Sequence, residues 1–330
     1  MMKKVIGKNI LSSYMCIAIF VVLLTFFAIA TGGRILHENA LKAIINQSLT
    51  TIIGGLGLIF VLAIGGIDIS IGSLIGLAAS LAFIANSSLG FWAMFPVAIL
   101  VGVMNGLLIG FLNTKLKITS FMASISLLVA LRGGVYWVLG SDYYLSPKAL
   151  RGLNDWGIMI PIVLALIGIT WYVFEFTPFG YYCKGIGENE NAVKYAGVNT
   201  MRIKRIAFVI CGLMAGVAAM FTAARVGGSD NTLGTGFEMR CLLAMYIGGI
   251  PVKGGAGTKL YKFLIGALMI NMLDSGLTLM NLMGPYVQLI RGLIMMSVLA
   301  VSMFYINGSE NRGRKLGKVD QDFSEVVDTE

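Results

Sequence analysis

Residues 65–72 read Gly-Gly-Ile-Asp-Ile-Ser-Ile-Gly, which sets one carboxylate, Asp68, and one hydroxyl, Ser70, among glycines between two long apolar runs. An ionised carboxylate at mid-bilayer depth costs roughly 2.5 to 3.5 kcal/mol on insertion scales, so it faces protein or a water-filled path rather than lipid. Irregular backbone at that depth survives only where it is buried in protein or lines a cavity. The arrangement points to a polar species handled inside a membrane.

Further polar side chains fall within the other apolar runs: Asn46, Gln47, Asn105, Ser124, Arg132, Asn271, Asp274, Ser275, Gln288 and Arg291. A path for a polar solute needs donors and acceptors that replace water without holding the solute tightly. Asp68, Ser70, Asn46, Gln47, Asn105, Asn271, Asp274, Ser275 and Gln288 are the candidates for its lining. The competing role is glue between helices, where each amide or hydroxyl contributes only about 0.6 to 2 kcal/mol. Isolation in lipid is so unfavourable for a charge that Asp68, Arg132, Asp274 and Arg291 need partners, and Asp274 with Arg291 forms a candidate ion pair. Nothing pairs a nucleophile with a base, and His37 stands alone. Cys16, Cys183, Cys211 and Cys241 form no CxxC pair and read as packing residues, so no metal centre is expected.

A polar stretch from Phe176 to Arg205 carries Gly187-Glu188-Asn189-Glu190-Asn191-Ala192-Val193-Lys194-Tyr195-Ala196-Gly197. These residues predict a short helix, with Asn189 as N-cap, Glu190 as first-turn charge and i,i+4 partner of Lys194, and Gly197 at the left-handed C′ position. About two turns do not hold alone in water. The helix therefore needs a dock, which is the bilayer, the rest of this chain or a second protein.

The scaffold for these positions is apolar: 57% of the 330 residues are hydrophobic and 12% charged, with a mean hydropathy of +0.84, which excludes an ordinary soluble domain. A membrane span takes about 20 apolar residues. Segments of that kind run from Tyr14 to Thr31, Ala43 to Gly65, Ile71 to Asn86, Phe91 to Asn113, Ile118 to Leu139, Gly157 to Glu175, Ile206 to Val226, Cys241 to Pro251, Phe263 to Met283 and Tyr286 to Ile306. The chain thus reads as an all-α polytopic membrane protein of about ten transmembrane helices. The eighth is too short to span, so it starts earlier or is broken. The first lacks a small-residue cleavage site and reads as a retained helix.

An even number of spans puts both termini on one side, and the positive-inside rule makes that side the cytoplasm. Lys115, Lys117, Lys184, Lys194, Arg202, Lys204, Arg205, Lys253, Lys259 and Lys262 then lie inside with both terminal clusters, against Arg34, Lys42, Lys148, Arg151, Arg225 and Arg240 outside. A net charge of +9 is accounted for by the membrane surface, without nucleic acid. Residues 1–306 form the transmembrane domain, with a cytoplasmic loop at about 176–205, and 307–330 read as a disordered cytoplasmic tail that turns from basic to acidic. Ile-Gly-Gly-Ile occurs at 64–67 and again at 247–250, either as a repeated helix-breaking device or by chance among 42 glycines. Gly72-xxx-Gly76, Gly102-xxx-Gly106-xxx-Gly110 and Gly212-xxx-Gly216 allow close helix approach, within one subunit or between two. The methionines, 19 in all, read as adaptable packing.

The residues 65–72, Leu131-Arg132-Gly133-Gly134, Thr177-Pro178-Phe179-Gly180, the Gly187 to Gly197 stretch, Gly234-Thr235-Gly236-Phe237-Glu238, Ile247-Gly248-Gly249 and Gly254-Gly255-Ala256-Gly257-Thr258 together carry a likeness. In their order and spacing the chain resembles the permease subunits of ribose-type ATP-binding-cassette sugar importers, from the second span onward. The resemblance implies a bacterial inner-membrane protein that imports a monosaccharide, ribose or a related sugar, and is not itself an enzyme. It implies three partners besides membrane lipid: a second permease subunit, an extracytoplasmic sugar-binding protein, and an ATPase with two fused nucleotide-binding halves that holds the ATP and magnesium. It implies no cofactor bound to this chain directly. Gly187, Asn189, Glu190, Ala192, Lys194, Tyr195 and Gly197 would form the helix that couples to the ATPase. Gly65, Gly66, Gly72, Arg132, Glu238, Gly248, Gly249 and Arg291 would be structural or gating residues.

The chain lacks GxxxxGK[ST], and in Gly254-Gly255-Ala256-Gly257-Thr258-Lys259 the lysine follows threonine, so ATP is not expected on a phosphate loop here. Three departures from the family pattern bear on the cargo: Arg240, Asp274-Ser275, and Ile250-Pro251-Val252-Lys253 after the paired glycines. A nucleoside or furanone-like signal molecule is the alternative within the family. An ion-coupled carrier with Asp68 or Asp274 as coupling carboxylate is the alternative outside it.

Overall fold

The computed structural model describes residues 18–282, 284–297 and 300, in two units that comprise residues 1–282 and 283–330. The start of the first expected span, the end of the tenth and the 307–330 tail lie outside the described residues.

The first unit is built of helices, in chain order α1 (Ala18–Ala30), α2 (Glu38–Ala63), α3 (Ile71–Leu89), α4 (Met94–Thr114), α5 (Ser120–Leu139), the single turn α6 (Lys148–Arg151), α7 (Trp156–Phe176), α8 (Pro178–Tyr195), α9 (Thr200–Val226), α10 (Phe237–Ile247) and α11 (Leu260–Leu279). A two-residue antiparallel pair, β1 (Tyr144–Leu145) with β2 (Gly228–Ser229), ties the loop after α5 to the loop after α9. The second unit carries helix α12 over 284–297.

Among the described residues seven helices are long and apolar enough to cross a membrane: α2, α3, α4 with the turn before it, α5, α7, α9 and α11. The three other expected spans correspond to α1, α10 and α12, each shorter than a span within the described residues. At 11 residues α10 is only about 16 Å long, roughly half the hydrocarbon thickness. It does start ahead of Cys241, at Phe237.

Burial sorts the spans. α2 and α9 are buried over most of their length and form the centre, whereas α4, α5 and α7 leave most of their side chains partly or fully uncovered, as spans facing lipid do. Glycines set how closely the centre packs. In α2, Gly54 receives the ring of Phe237, Gly55 that of Phe263, and Gly57 the α9 backbone at Cys211. Between α4 and α9 the glycine rows face each other, since a Cβ on Gly102 would overlap the Gly212 carbonyl and one on Gly212 the Gly102 carbonyl. Gly216 similarly meets Ala98, and Gly106 meets Phe208. Both rows are therefore used within the subunit, as small-residue interfaces that let helix backbones approach.

The Ile-Gly-Gly-Ile strings both end helices. After α2, Gly65 is left-handed (φ 74°), with Gly65 N–H on the Leu62 carbonyl and Gly66 N–H on that of Val61. After α10, Gly249 is left-handed (φ 83°), with Gly249 N–H on Tyr246 and Ile250 N–H on Met245. Each is a Schellman ending. The left-handed residue is the first glycine in one string and the second in the other, so the strings share a function but not a register.

Candidate functional site

Between α2 and α3 the chain runs as a largely buried strap, residues 64–70, without helical structure. Helices hold the strap: Ser120 Oγ at the start of α5 accepts from the Ile67 backbone N–H (3.0 Å), and the Asn105 side chain of α4 donates to Ser70 Oγ (3.1 Å). Asp68 is 1% exposed, and its Oδ1 accepts from the Ser70 N–H (2.8 Å) and hydroxyl (2.7 Å). The carboxylate thus stands just ahead of α3, beside a helix end that favours negative charge. Its other oxygen takes the Cys211 thiol of α9 at 3.7 Å. Asp68, Ser70 and Asn105 are brought together, with Cys211 as a fourth member that the sequence reads as mere packing. The first turn of α3 also meets the first turn of α10, as a Cβ on Gly72 would overlap Glu238 Oε2 and lie 2.5 Å from the Gly234 carbonyl. Arg132 of α5 holds the irregular stretch before α10 by donating to the carbonyls of Asn231 (3.2 Å) and Leu233 (3.0 Å). Two helices therefore begin beside each other in the interior, approached by irregular backbone.

The other polar candidates form separate groups. Asn271 of α11 is fully buried and donates to Thr51 of α2 (3.3 Å) and to the Ala267 carbonyl (2.7 Å), while Thr51 donates to the Gln47 carbonyl (2.9 Å). This is a bond between helices. Asn46 is half-buried on the same helix, and Ser275 half-buried on α11. Asp274 pairs with Arg240 of α10 at 3.4 Å, both side chains largely buried. Arg240 is a partner for Asp274 that the sequence does not point to. Gln288 and Arg291 lie on α12 of the second unit.

The segment after α7 forms the other face of the site. Thr177 and Pro178 open α8, which is interrupted at Asn189 (φ −158°, ψ 100°). Asn189 Oδ1 accepts from Ala192 N–H (3.1 Å), restarting the helix as an N-cap does. Gly197 is left-handed (φ 83°), with its N–H on the Lys194 carbonyl and Val198 N–H on that of Val193. The short helix has both expected ends. Glu190 bonds Lys204 of α9 (2.6 Å) instead of Lys194, because the start of α9 folds back beside it. Ala192, Lys194 and Tyr195 are exposed, Tyr195 at 92%. The first half of α8 is fixed by Glu175, which binds Lys184 (2.6 Å) and Lys259 (3.4 Å). Burial pulls the Lys184 ammonium below the ordinary lysine range, and Glu175 opposes that shift. A cleft of about 210 Å³ lies between the strap and this face, lined in part by Gly65, Gly66, Asn113, Ser120 and Lys204.

Gly248 and Gly249 end α10 at the same face, where Lys262 donates to the Gly249 carbonyl (3.1 Å). Among the described residues no group of three or more His, Cys, Asp and Glu side chains is placed to hold a metal ion. Ser120 and Thr51 escaped notice in the sequence because single hydroxyls carry no pattern, and Lys204 read there only as an inside charge.

Apolar spans, helices broken in the interior and an exposed helix at one face define a multi-pass membrane permease of the bacterial inner membrane, a transport subunit. The chain belongs to the family described as "Branched-chain amino acid transport system / permease component", whose sequence model matches residues 40–299. It is 28% identical to the ribose import permease protein of Haemophilus influenzae over 83% of this chain and 86% of that one. It is likewise 28% identical to the ribose import permease protein of Escherichia coli K12, over 80% and 85% of the two chains. With the autoinducer 2 import system permease protein of Yersinia pseudotuberculosis it shares 30% identity over 77% and 76%. No solved structure matches the chain.

Proposed function

We propose that this protein is the permease subunit of an ATP-binding-cassette importer that moves a monosaccharide, ribose or a related sugar, into the cell. The observation that carries the reading is the short helix after Asn189. It is capped at both ends, exposed on its Tyr195 side and follows closely on Gly187, which meets the end of α2 where the Asp68 strap begins, as a dock for a separate ATPase requires. Basic residues support a cytoplasmic placement of that face: Lys115, Lys117, Lys184, Lys194, Arg202, Lys204, Arg205, Lys253, Lys259 and Lys262 belong to the segments around it. Ten crossings with both termini inside fit the same bias.

In this mechanism ATP closes the partner ATPase, the short helix is displaced with it, and the path opens alternately to the two sides. Each step needs a ligand that favours one state, so the binding protein and ATP each bias a different opening. The strap and the start of α10 are the parts whose irregular backbone is suited to rearrange, with Asp68, Ser70 and Asn105 available to a hydroxylated cargo. A second permease subunit, an extracytoplasmic binding protein and ATP with magnesium on the ATPase complete the assembly. The similarity to an autoinducer 2 permease supports a second reading, a furanone-like signal as cargo.

Proteoliposomes that hold the permease, its ATPase and its binding protein separate the two. Labelled ribose should enter on addition of ATP, and excess unlabelled pentose should abolish its entry. Entry of an autoinducer 2 preparation with no entry of any pentose would move the assignment to the second reading.

A further inference from the structure

The Gly254-Gly255-Ala256-Gly257 turn, which resembles a phosphate loop only in composition, is wedged between the coupling segment and the end of α2. Glu188, the last residue before the break in α8, accepts from the Ala256 N–H at 2.9 Å through Oε1. A Cβ on Gly255 would lie 2.5 Å from the same oxygen. On the neighbouring residue, a Cβ on Gly187 would overlap the Ala63 carbonyl and lie 2.6 Å from Gly255 N. A Cβ on Gly254 would overlap the Leu62 carbonyl and lie 3.0 Å from Gly65 N, while one on Gly65 would lie 3.2 Å from the Lys253 carbonyl. Three backbones thus touch with no side chain between them, at the residue where the strap begins. Close-packed backbone has no rotamer to yield, so it passes a displacement on.

The two halves of α8 are also in contact, since a Cβ on Gly185 would lie 3.0 Å from Val193 Cγ2. A push on the short helix therefore reaches Gly187 and Glu188 despite the break. Gly254 (φ 71°) and Gly255 (φ 79°) are left-handed, which fixes this turn to glycine.

We propose that the turn at 254–257 is the link that carries movement of the coupling segment to the Asp68 strap, and that Glu188 is the positioning residue that holds it in place. The proposal rests on the assignment of the segment after Asn189 as the ATPase dock.

Two measurements test it. In the complete assembly in proteoliposomes, Glu188→Ala should lower the sugar moved per ATP hydrolysed at least threefold with ATP hydrolysis retained. Glu188→Gln, which keeps an acceptor oxygen, should restore most of that ratio. In the purified permease in lipid nanodiscs, without ATPase, hydrogen exchange at the Ala256, Ile67 and Ser70 amides should accelerate in Glu188→Ala and not in Glu188→Gln. A Glu188→Ala variant with unchanged ratio and unchanged strap exchange would overturn the link. Wild-type protein that shows no ATP-driven uptake would overturn the transport reading instead, and the exchange result alone would then decide the link, acceleration supporting it and no change overturning it.

Discussion

Asp68 and Asp274 are both buried carboxylates in the first unit, yet their surroundings differ. Asp68 is held by neutral groups, the Ser70 amide and hydroxyl and the Cys211 thiol. Asp274 faces the Arg240 guanidinium at 3.4 Å. A strap residue with neutral donors can exchange them for a hydroxylated cargo with little change in charge, whereas a salt-bridged carboxylate resists such exchange. Asp68 was legible in the sequence because glycines on both sides mark backbone that leaves the helix. The Arg240 pair was not, because the boundary of α10 decides whether Arg240 lies inside the bilayer, and a helix of 11 residues falls below any span-length pattern. Removing one partner of a buried pair costs about 3 to 5 kcal/mol, while replacing both by apolar residues of similar size is often neutral. Arg240→Met should therefore lower the unfolding midpoint of the purified permease in detergent, and Arg240→Met with Asp274→Leu should return it most of the way. A double variant no more stable than the single one would show that the pair is not what Arg240 supplies.

At the scale of elements, the short helix within α8 was legible at both ends, because Asn189 and Gly197 do their work through local backbone geometry. What local geometry does not reveal is the third dimension, hence the bond of Glu190 to Lys204 across the start of α9. The paired glycine rows of α4 and α9 show the same limit, since spacing declares close approach without naming the partner. Gly197 is exposed and left-handed, with open space around its missing Cβ. A side chain there meets only backbone strain, of about 1 to 2 kcal/mol for an ordinary residue and more for a β-branched one. Gly197→Val should unwind the end of the short helix while leaving the spans intact. In reconstituted assemblies it should lower uptake several-fold with assembly in the membrane unchanged, and full uptake would remove the short helix from the coupling route.

At the scale of the whole molecule, hydropathy located the long spans of the described residues to within a few residues except at the starts of α2 and α9, the latter beginning at Thr200, ahead of its apolar run. Its first turns are paid for by polar contacts, among them Asn199 capping Arg202 N–H and Arg205 bonding Thr114. The half-length α10 and the strap were foreseen only as irregularity near glycines, because hydropathy reports depth of burial and not the path of the backbone. Together these features make a permease whose interior is interrupted at two adjoining points and whose exposed helix lies at one end of the same interruption. In the proposed function this architecture is driven by a separate ATPase, and the energy source is what most directly tests the account. In sealed proteoliposomes containing the permease, its ATPase and its binding protein, labelled ribose uptake should require ATP and vanish when the ATPase is omitted. Uptake driven by a proton or sodium gradient alone, with no ATP and no ATPase present, would contradict it.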